Sequence, residues 1–430
     1  MTLAQNHQRL LNGNRNFGLI ILLTLACISC GAFKSSSIDV EEYHGEKDET
    51  VEGLDNSLDT KVIKKDEKKE MEASSKLVEI YFHDEKFLAP NPIDRDFTVA
   101  LVLPFMAQSE SNGLTSPMLD FLEGIQIALK DLEQKGMAIK VTVYDSRKDS
   151  LTVEALLLKE EFKHMDLIIG PVFEKNLTLL ENHCAMYHIP LVVPLKYYSK
   201  QTKTNFPLFN VFPTDSVFYH CLGKSVATEY GNHKVSTVTT SDETSFMARK
   251  HFVSGYKSVS NSPIGNVNAN NCNTAVAGDS NLLFIPTVSE SEMRTCLDLL
   301  KNKKNVCVLG LKEWLDFTVI DYPIWDKLNV HYGSKFFITN SDSTIQDLRI
   351  RYRYDFKGEP SQYFYIAYDE MMFFGEALKA FGRDFPKYLS NRRFSYLHNS
   401  FNFIEKKGYF ENESVNLIWF KDYVPVKINH

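Results

Sequence analysis

The sequence predicts an α/β protein of two lobes, each a parallel sheet covered by helices, and three observations point there. From residue 97 onward, short apolar segments alternate with amphipathic ones at helical spacing, the order that βαβ units produce. Strands such as Phe97-Thr98-Val99-Ala100-Leu101-Val102-Leu103-Pro104 are apolar at nearly every position, as a sheet buried on both faces requires. A chain of 430 residues, 43% of them apolar, has enough material for two cores.

The elements follow in order. After the first strand, Leu119, Leu122, Ile125, Leu129 and Leu132 recur on one helix face, and Gly136 ends that helix. Ile139 to Asp145 alternates as a strand, and Leu151 to Phe162 reads as a second helix. The strand Met165 to Pro171, a helix from Glu174 to Tyr187 and the strand Ile189 to Pro194 complete four parallel strands of a first lobe. A second series begins with the helix Asp215 to Tyr230 and the strand Lys234 to Thr240, followed by the helix Glu243 to Tyr256. The strand Asn281 to Thr287, the helix Ser289 to Leu300 and the strand Asn305 to Leu311 continue it, and Lys335 to Thr339 reads as its last strand, followed by the helix Ser343 to Tyr354. Between Ser258 and Asp279 an Asn/Ser/Gly-rich stretch without periodicity reads as a loop insertion.

Ahead of this body, an apolar run from Phe17 to Ala26 follows Arg9 and Arg15 and ends at Cys27-Ile28-Ser29-Cys30-Gly31. It is too short to span a bilayer, which takes about 20 apolar residues, and it has the layout of a signal peptide cleaved before a cysteine. Two lipidation sites fit, Cys27 and Cys30; Thr24-Leu25-Ala26-Cys27 matches a lipobox better, whereas Cys30 is followed by a favourable Gly31. Residues 1–26 are therefore expected to leave as a signal peptide. Residues 27–94, dense in charge around Lys64-Lys65-Asp66-Glu67-Lys68-Lys69-Glu70, are expected to form a disordered tether with an r.m.s. span of about 40 Å. Acyl chains on the cysteine would hold the body at a membrane without embedding it.

A net charge of −7 and the lack of a basic stripe exclude a nucleic-acid partner. No HExxH, GxSxG or GxGxxG motif occurs, so no catalytic site, cofactor or metal is expected. Gly223-Lys224-Ser225 resembles the end of a phosphate loop but falls inside a predicted helix, and His183 and His188 lie five residues apart, off a common face. The aromatic run through Tyr352, Tyr354, Phe356, Tyr363, Phe364, Tyr365, Tyr368, Phe373 and Phe374 is expected to be mostly core. Outside the lipobox there are five cysteines without regular spacing. Cys272 with Cys296 is a conceivable disulfide for an exported chain, while Cys184 and Cys307 sit in apolar settings that suit buried thiols.

In order and spacing, Val99 to Phe105, Phe121-Leu122-Glu123-Gly124-Ile125-Gln126-Ile127-Ala128-Leu129, Val143-Tyr144-Asp145-Ser146 and Leu167-Ile168-Ile169-Gly170-Pro171-Val172 resemble the type I periplasmic-binding-protein family of Leu/Ile/Val-binding type. Ile189 to Pro194, Phe209-Asn210-Val211-Phe212-Pro213 and Tyr368-Asp369 extend the likeness over about Arg95 to His430. Within that family the chain looks most like Bacteroidota-type envelope lipoproteins. It is also similar to lipoproteins that activate penicillin-binding proteins. The resemblance implies two Rossmann-like lobes joined by three crossovers, with a ligand cleft between them: 95–213 plus 357–395 as the first lobe, 214–356 plus 396–430 as the second.

Open parallel sheets bind ligands beyond the carboxyl ends of their strands, which makes Phe105, Glu174, Lys196, Tyr197 and Asp242 the candidate ligand residues. Amino-acid-binding members hold the ligand carboxylate with small hydroxyl residues and a small turn. Here Phe173-Glu174-Lys175-Asn176 and Leu195-Lys196-Tyr197-Tyr198 stand instead, so a small amino acid is a poor fit. Two functions follow from the resemblance. One is a non-enzymatic receptor facing the periplasm, anchored in the outer membrane, that binds a small solute or cell-wall component and partners a transporter permease. The other is an outer-membrane scaffold that regulates a peptidoglycan synthase. Radiolabelled palmitate incorporation is expected to vanish in Cys27→Ala; label lost only in Cys30→Ala would move the acylation site, and label indifferent to both would overturn the lipoprotein reading.

Overall fold

The structure is a computed structural model and describes residues 31–33, 92–106, 115–195, 206–389 and 392–428. The expected signal peptide, Cys27, Cys30, most of the tether, Lys196 and Tyr197 lie outside the described residues.

The first lobe opens with β1 (Gly31–Phe33), β2 (Phe97–Leu103), α1 (Thr115–Gln134), β3 (Ile139–Asp145) and α2 (Ser150–Leu157), then β4 (Leu167–Ile169), α3 (Glu174–Tyr187), β5 (Leu191–Val193) and β6 (Leu208–Asn210). The chain then crosses to the second lobe: α4 (Asp215–Glu229), β7 (Lys234–Thr239), α5 (Glu243–Val259), β8 (Gly265–Asn268), β9 (Asn281–Phe284), α6 (Glu290–Leu300), β10 (Val306–Gly310), α7 (Tyr322–Lys327) and β11 (Val330–Ser334). It returns to the first lobe for α8 (Ser343–Phe356), α9 (Gln362–Phe381), the short pair β12 (Phe394–Ser395) and β13 (Ser400–Phe401), and the hairpin β14 (Phe403–Lys406) and β15 (Tyr409–Asn412). It ends in the second with β16 (Asn416–Lys421) and β17 (Val424–Lys427).

Two sheets result. The first runs β1-β3-β2-β4-β5-β6-β15-β14, parallel from β3 to β15 and antiparallel at both edges. The second runs β17-β16-β11-β10-β9-β7-β8, parallel from β11 to β8, with the antiparallel β16 and β17 added at one edge. β2 pairs residue for residue with β3, from Phe97 opposite Ile139 to Leu103 opposite Asp145. Its alternate side chains enter two different cores. Val99, Leu101 and Leu103 face α1, α8 and α9, while Ala100 and Val102 join Leu177, Leu180 and Cys184 of α3 on the other face. The second lobe has one core around Leu282, Phe284, Val308 and Trp314.

Capping fixes most helix starts. Asp149, Thr214, Asp242, Ser289, Asp342 and Ser361 each accept a backbone N–H of the first turn with their side chains. Gly223, the glycine of the phosphate-loop look-alike, sits inside α4 where α5 crosses it; a Cβ there would lie 2.1 Å from the Phe252 carbonyl oxygen. The triplet is a helix contact. Most of the aromatic run is core, with Phe364, Tyr365, Tyr368, Phe373 and Phe374 all buried and Tyr354 exposed.

Several expectations are corrected. Lys335 to Thr339 is not a strand; the last parallel strand is Val330–Ser334, whose His331, Tyr332 and Gly333 lack the apolar run that marks its neighbours, and residues 335–339 carry the crossing back to the first lobe. The insertion 258–279 holds β8 and a 3-10 segment, Ala269–Ala275. The helix expected over 151–162 breaks into α2 and the 3-10 turn Glu160–His164. The lobe boundaries also shift: Ile345, Leu348 and Tyr352 of α8 pack into the first lobe's core, and β14 and β15 extend the first sheet. The second return therefore comes after Asn412, not at residue 395. Hydrophobic pattern marks an element's buried face but not which lobe's core receives it. Gly31–Phe33 pairs on the outer edge of β3, inside the stretch read as tether.

Candidate functional site

The three crossings meet at one buried segment. Asp369, on α9, is fully buried; one carboxylate oxygen, Oδ2, accepts the His398 backbone N–H at 2.8 Å and lies 2.5 Å from His398 Nδ1. The His398 carbonyl then accepts the backbone N–H of Phe337, on the second crossing, at 3.1 Å and the Asn416 side-chain amide, past the third, at 3.0 Å. Asn399 donates to the Lys335 carbonyl at 3.3 Å, and Asn412 to the Ser400 carbonyl at 3.1 Å. Glu411 accepts from the backbone N–H and hydroxyl of Thr214 at 3.0 and 2.8 Å, which binds the first crossing to the third. Lys406, 3.1 Å from Glu411 and 2.9 Å from Glu413, balances the buried charge.

Above this knot the lobes enclose a cleft of about 330 Å³. The first lobe supplies Leu195, after β5, and Gln362, Tyr363 and Ile366 from the start of α9. The second supplies Asp215, Phe218 and Tyr219 from the first turns of α4 and the stretch Gly310-Leu311-Lys312-Glu313 after β10. Phe212 and Phe336, on two of the crossings, form part of its lining. The Phe336 ring stacks on His398 at 5.6 Å and the Phe212 ring lies 6.2 Å from it, so the cleft rests on the knot. Trp314 donates its indole N–H to the Thr287 carbonyl at 2.8 Å and packs beneath Gly310, where a Cβ would lie 2.5 Å from its ring. That residue must be small for the wall to close on the tryptophan.

The polar lining of the cleft includes an ion pair, Lys335 with Asp215, and the Tyr219 phenol, beside Lys312, Glu313, Gln362 and Tyr363. Lys335 Nζ lies 2.8 Å from Asp215 Oδ1 and 5.4 Å from the centre of the Phe218 ring. Burial, and then the negative charges of Glu313, Asp215 and Asp242, push the Tyr219 phenol up, so it stays a neutral hydrogen-bond donor. One turn beyond Ile366 on α9, Glu370 is fully buried and neither carboxyl oxygen has a protein hydrogen-bond partner. Burial, with the charge of Asp369 adding, holds its pKa well above the ordinary glutamate value and favours the protonated form.

The residues expected to bind ligand fare differently. Phe105 is buried in the first core, Glu174 is exposed at the start of α3, and Asp242 caps α5 through a 2.7 Å bond from Ser245 N–H; none of the three lines the cleft. They stand near the points where strand order reverses, between β2 and β4 and between β7 and β9, whereas the cleft opens on the hinge side by β5, β10 and β11. Leu195, just past the strand expected over Ile189 to Pro194, and Gly310-Leu311-Lys312, at the end of the strand expected over Asn305 to Leu311, do line it. Asp215, Lys335, Phe218, Asp369 and His398 went unrecognised as site residues. What unites them is spatial closeness to the lobe crossings, through partners distant in sequence, which the sequence does not mark. Among the described residues there is no group of three or more His, Cys, Asp or Glu placed to hold a metal, and no helix long and apolar enough to cross a membrane.

No family model and no curated protein matches the sequence. Solved structures do match in fold. A candidate branched-chain amino acid ABC transporter protein from Rhodospirillum rubrum aligns with 78% of this chain and 100% of its own at 11% identity and a TM-score of 0.57. The C-domain of LpoA from Haemophilus influenzae, a regulator of PBP1A, aligns with 77% of this chain and 100% of its own at 11% identity and a TM-score of 0.54. Full-length LpoA of the same organism aligns over 59% of its length, at 12% identity and a TM-score of 0.53. The chain has the type I periplasmic-binding-protein fold.

Glu370 generates a pH prediction. Because its folded pKa is raised, the native state holds this proton more tightly than the unfolded chain, and stability falls as pH rises above the ordinary value of 4.5. Glu370→Gln, which mimics the neutral acid, is expected to be more stable than the parent at pH 8, with the gap closing towards pH 4. Chemical denaturation across that range checks it; a gap independent of pH contradicts a buried neutral acid.

Proposed function

We propose that the chain is a non-enzymatic, lipid-anchored receptor of the cell envelope that faces the periplasm and binds a small solute or cell-wall component between its lobes. The observation that carries this reading is the hinge-side cleft: about 330 Å³, walled by both lobes and resting on the crossings that join them. That volume lies in the range of small-molecule sites, and an apolar lining with a few placed polar groups is their usual chemistry. Phe212, Phe218 and Phe336 offer faces for a flat or apolar body, while Lys335, Asp215 and the Tyr219 hydroxyl offer a polar end. The likeness to a solute-transporter component supports the same reading.

The wall argues against a small amino acid as the ligand. The sequence after β5, Leu195-Lys196-Tyr197-Tyr198, departs from the small hydroxyl-bearing turn that the family resemblance implies for amino-acid binders. The charge objection expected at Glu174 does not hold, because that side chain is outside the cleft; Glu313 and Asp215 are the carboxylates that face it.

The second reading, a scaffold that regulates peptidoglycan synthesis through protein contacts, is favoured by the likeness to the PBP1A regulator. Calorimetry with amino acids, muropeptides and sugars separates the two. Leucine is expected to bind no tighter than about 1 mM. At least one muropeptide or sugar is expected to bind in the micromolar range and to lose roughly tenfold in Lys335→Ala, which removes the cation at the polar end. Micromolar leucine binding contradicts the proposed ligand class; no binding by any of the panel, with capture of a peptidoglycan synthase, would transfer the assignment to the scaffold.

A further inference from the structure

The second lobe carries a pair of cysteines that neither the cleft nor the hinge uses. Cys272 lies in the 3-10 segment Ala269–Ala275, which follows the edge strand β8, and Cys296 lies on the inward face of α6. Both are fully buried in the second core. The Cys272 thiol points at the Cys296 carbonyl, 3.7 Å away, and the Cys296 thiol points at the Ala269 carbonyl, also 3.7 Å away. The Cys272 sulfur thus reaches the Cys296 backbone, the Cys296 sulfur reaches the backbone three residues ahead of Cys272, and the two side chains are within hydrogen-bonding reach of each other. That bond lowers the Cys272 thiol; together with burial it raises the Cys296 thiol. All five described cysteines are thiols in this structure, but Cys184, Cys221 and Cys307 occupy separate elements, on α3, α4 and β10.

We propose that Cys272 and Cys296 form an oxidation site, converted by a disulfide-bearing oxidant into a disulfide that fastens the 265–275 arm to α6. The thiolate of one cysteine attacks the oxidant's disulfide and expels one thiol, leaving a mixed disulfide; the second cysteine's sulfur displaces the other thiol. Two S–H protons and two electrons leave the pair, one S–S bond forms, and the oxidant is reduced to two thiols. Since both sulfurs are buried, the first attack takes place before the arm docks or when it opens. The arm is suited to opening, because among the described residues β8 is the outermost strand of its sheet, paired with β7 alone. Once closed, the bond ties residues 24 apart in sequence and holds α6, whose preceding Thr287 carries the Trp314 bond behind the cleft wall.

The test is to refold the full chain with oxidised and reduced glutathione and to map disulfides by mass spectrometry of an unreduced digest. The expected result is a cross-linked pair of peptides bearing Cys272 and Cys296. A thermal midpoint lowered by roughly 5 °C or more on reduction, or in Cys272→Ala, is expected beside it. Recovery of both residues as alkylated free thiols, or linkage of either to a different cysteine, would overturn the proposal. Mapping of the unmutated chain decides the matter even where the alanine variant does not fold.

Discussion

The relation between the lobes depends on the hydrogen-bonded pair of His398 and Asp369. Asp369 belongs to α9, which packs against α1 in the first core, and through His398 it fixes the segment 398–402 to that helix. Two of the crossings then bond to this segment, and Glu411 secures the remaining one through Thr214. A buried pair of this kind adds little net stability over apolar residues, but removal of one partner typically costs about 3–5 kcal/mol because the other is stranded. What the pair supplies is definition: backbone groups on crossings far apart in sequence are given one set of partners.

This arrangement explains where the cleft sits. Phe212 and Phe336 are crossing residues with rings against His398, so a molecule seated on them presses on the hinge itself. The fold permits closure of two lobes about a few crossing residues. Leu195 and α9 hold one side and α4 with the 310–313 stretch the other, and these are the surfaces that such a closure would bring together.

Most of the fold was legible in the sequence because its strands are buried on both faces. Val99 to Leu103 could be little else, and Asp215, Glu243 and Ser343 began helices where a capping residue precedes them. Failures came where burial is not apolar. β11 contains His331 and Gly333 and carries a weaker apolar signal than Phe336-Phe337-Ile338, which is a crossing. β15, with buried Glu411 and Asn412, has no apolar pattern that ties it to the first lobe, whose sheet it extends. The site was less legible still. Strand ends were identifiable, but which of them face the cleft depends on the pivot, and the pivot is made of Asp369, His398, Asn399, Asn412 and Asn416, polar residues whose partners are distant in sequence.

The proposed ligand site, the hinge-side cleft, is tested most directly by amide hydrogen exchange with and without a muropeptide and sugar mixture. Slowed exchange is expected in both walls at once, around 362–366 of the first lobe and around 215–219 and 310–313 of the second, with 334–337 of the hinge following. Protection confined to one lobe, or none in these segments while the outer surface of the protein is protected, would contradict it.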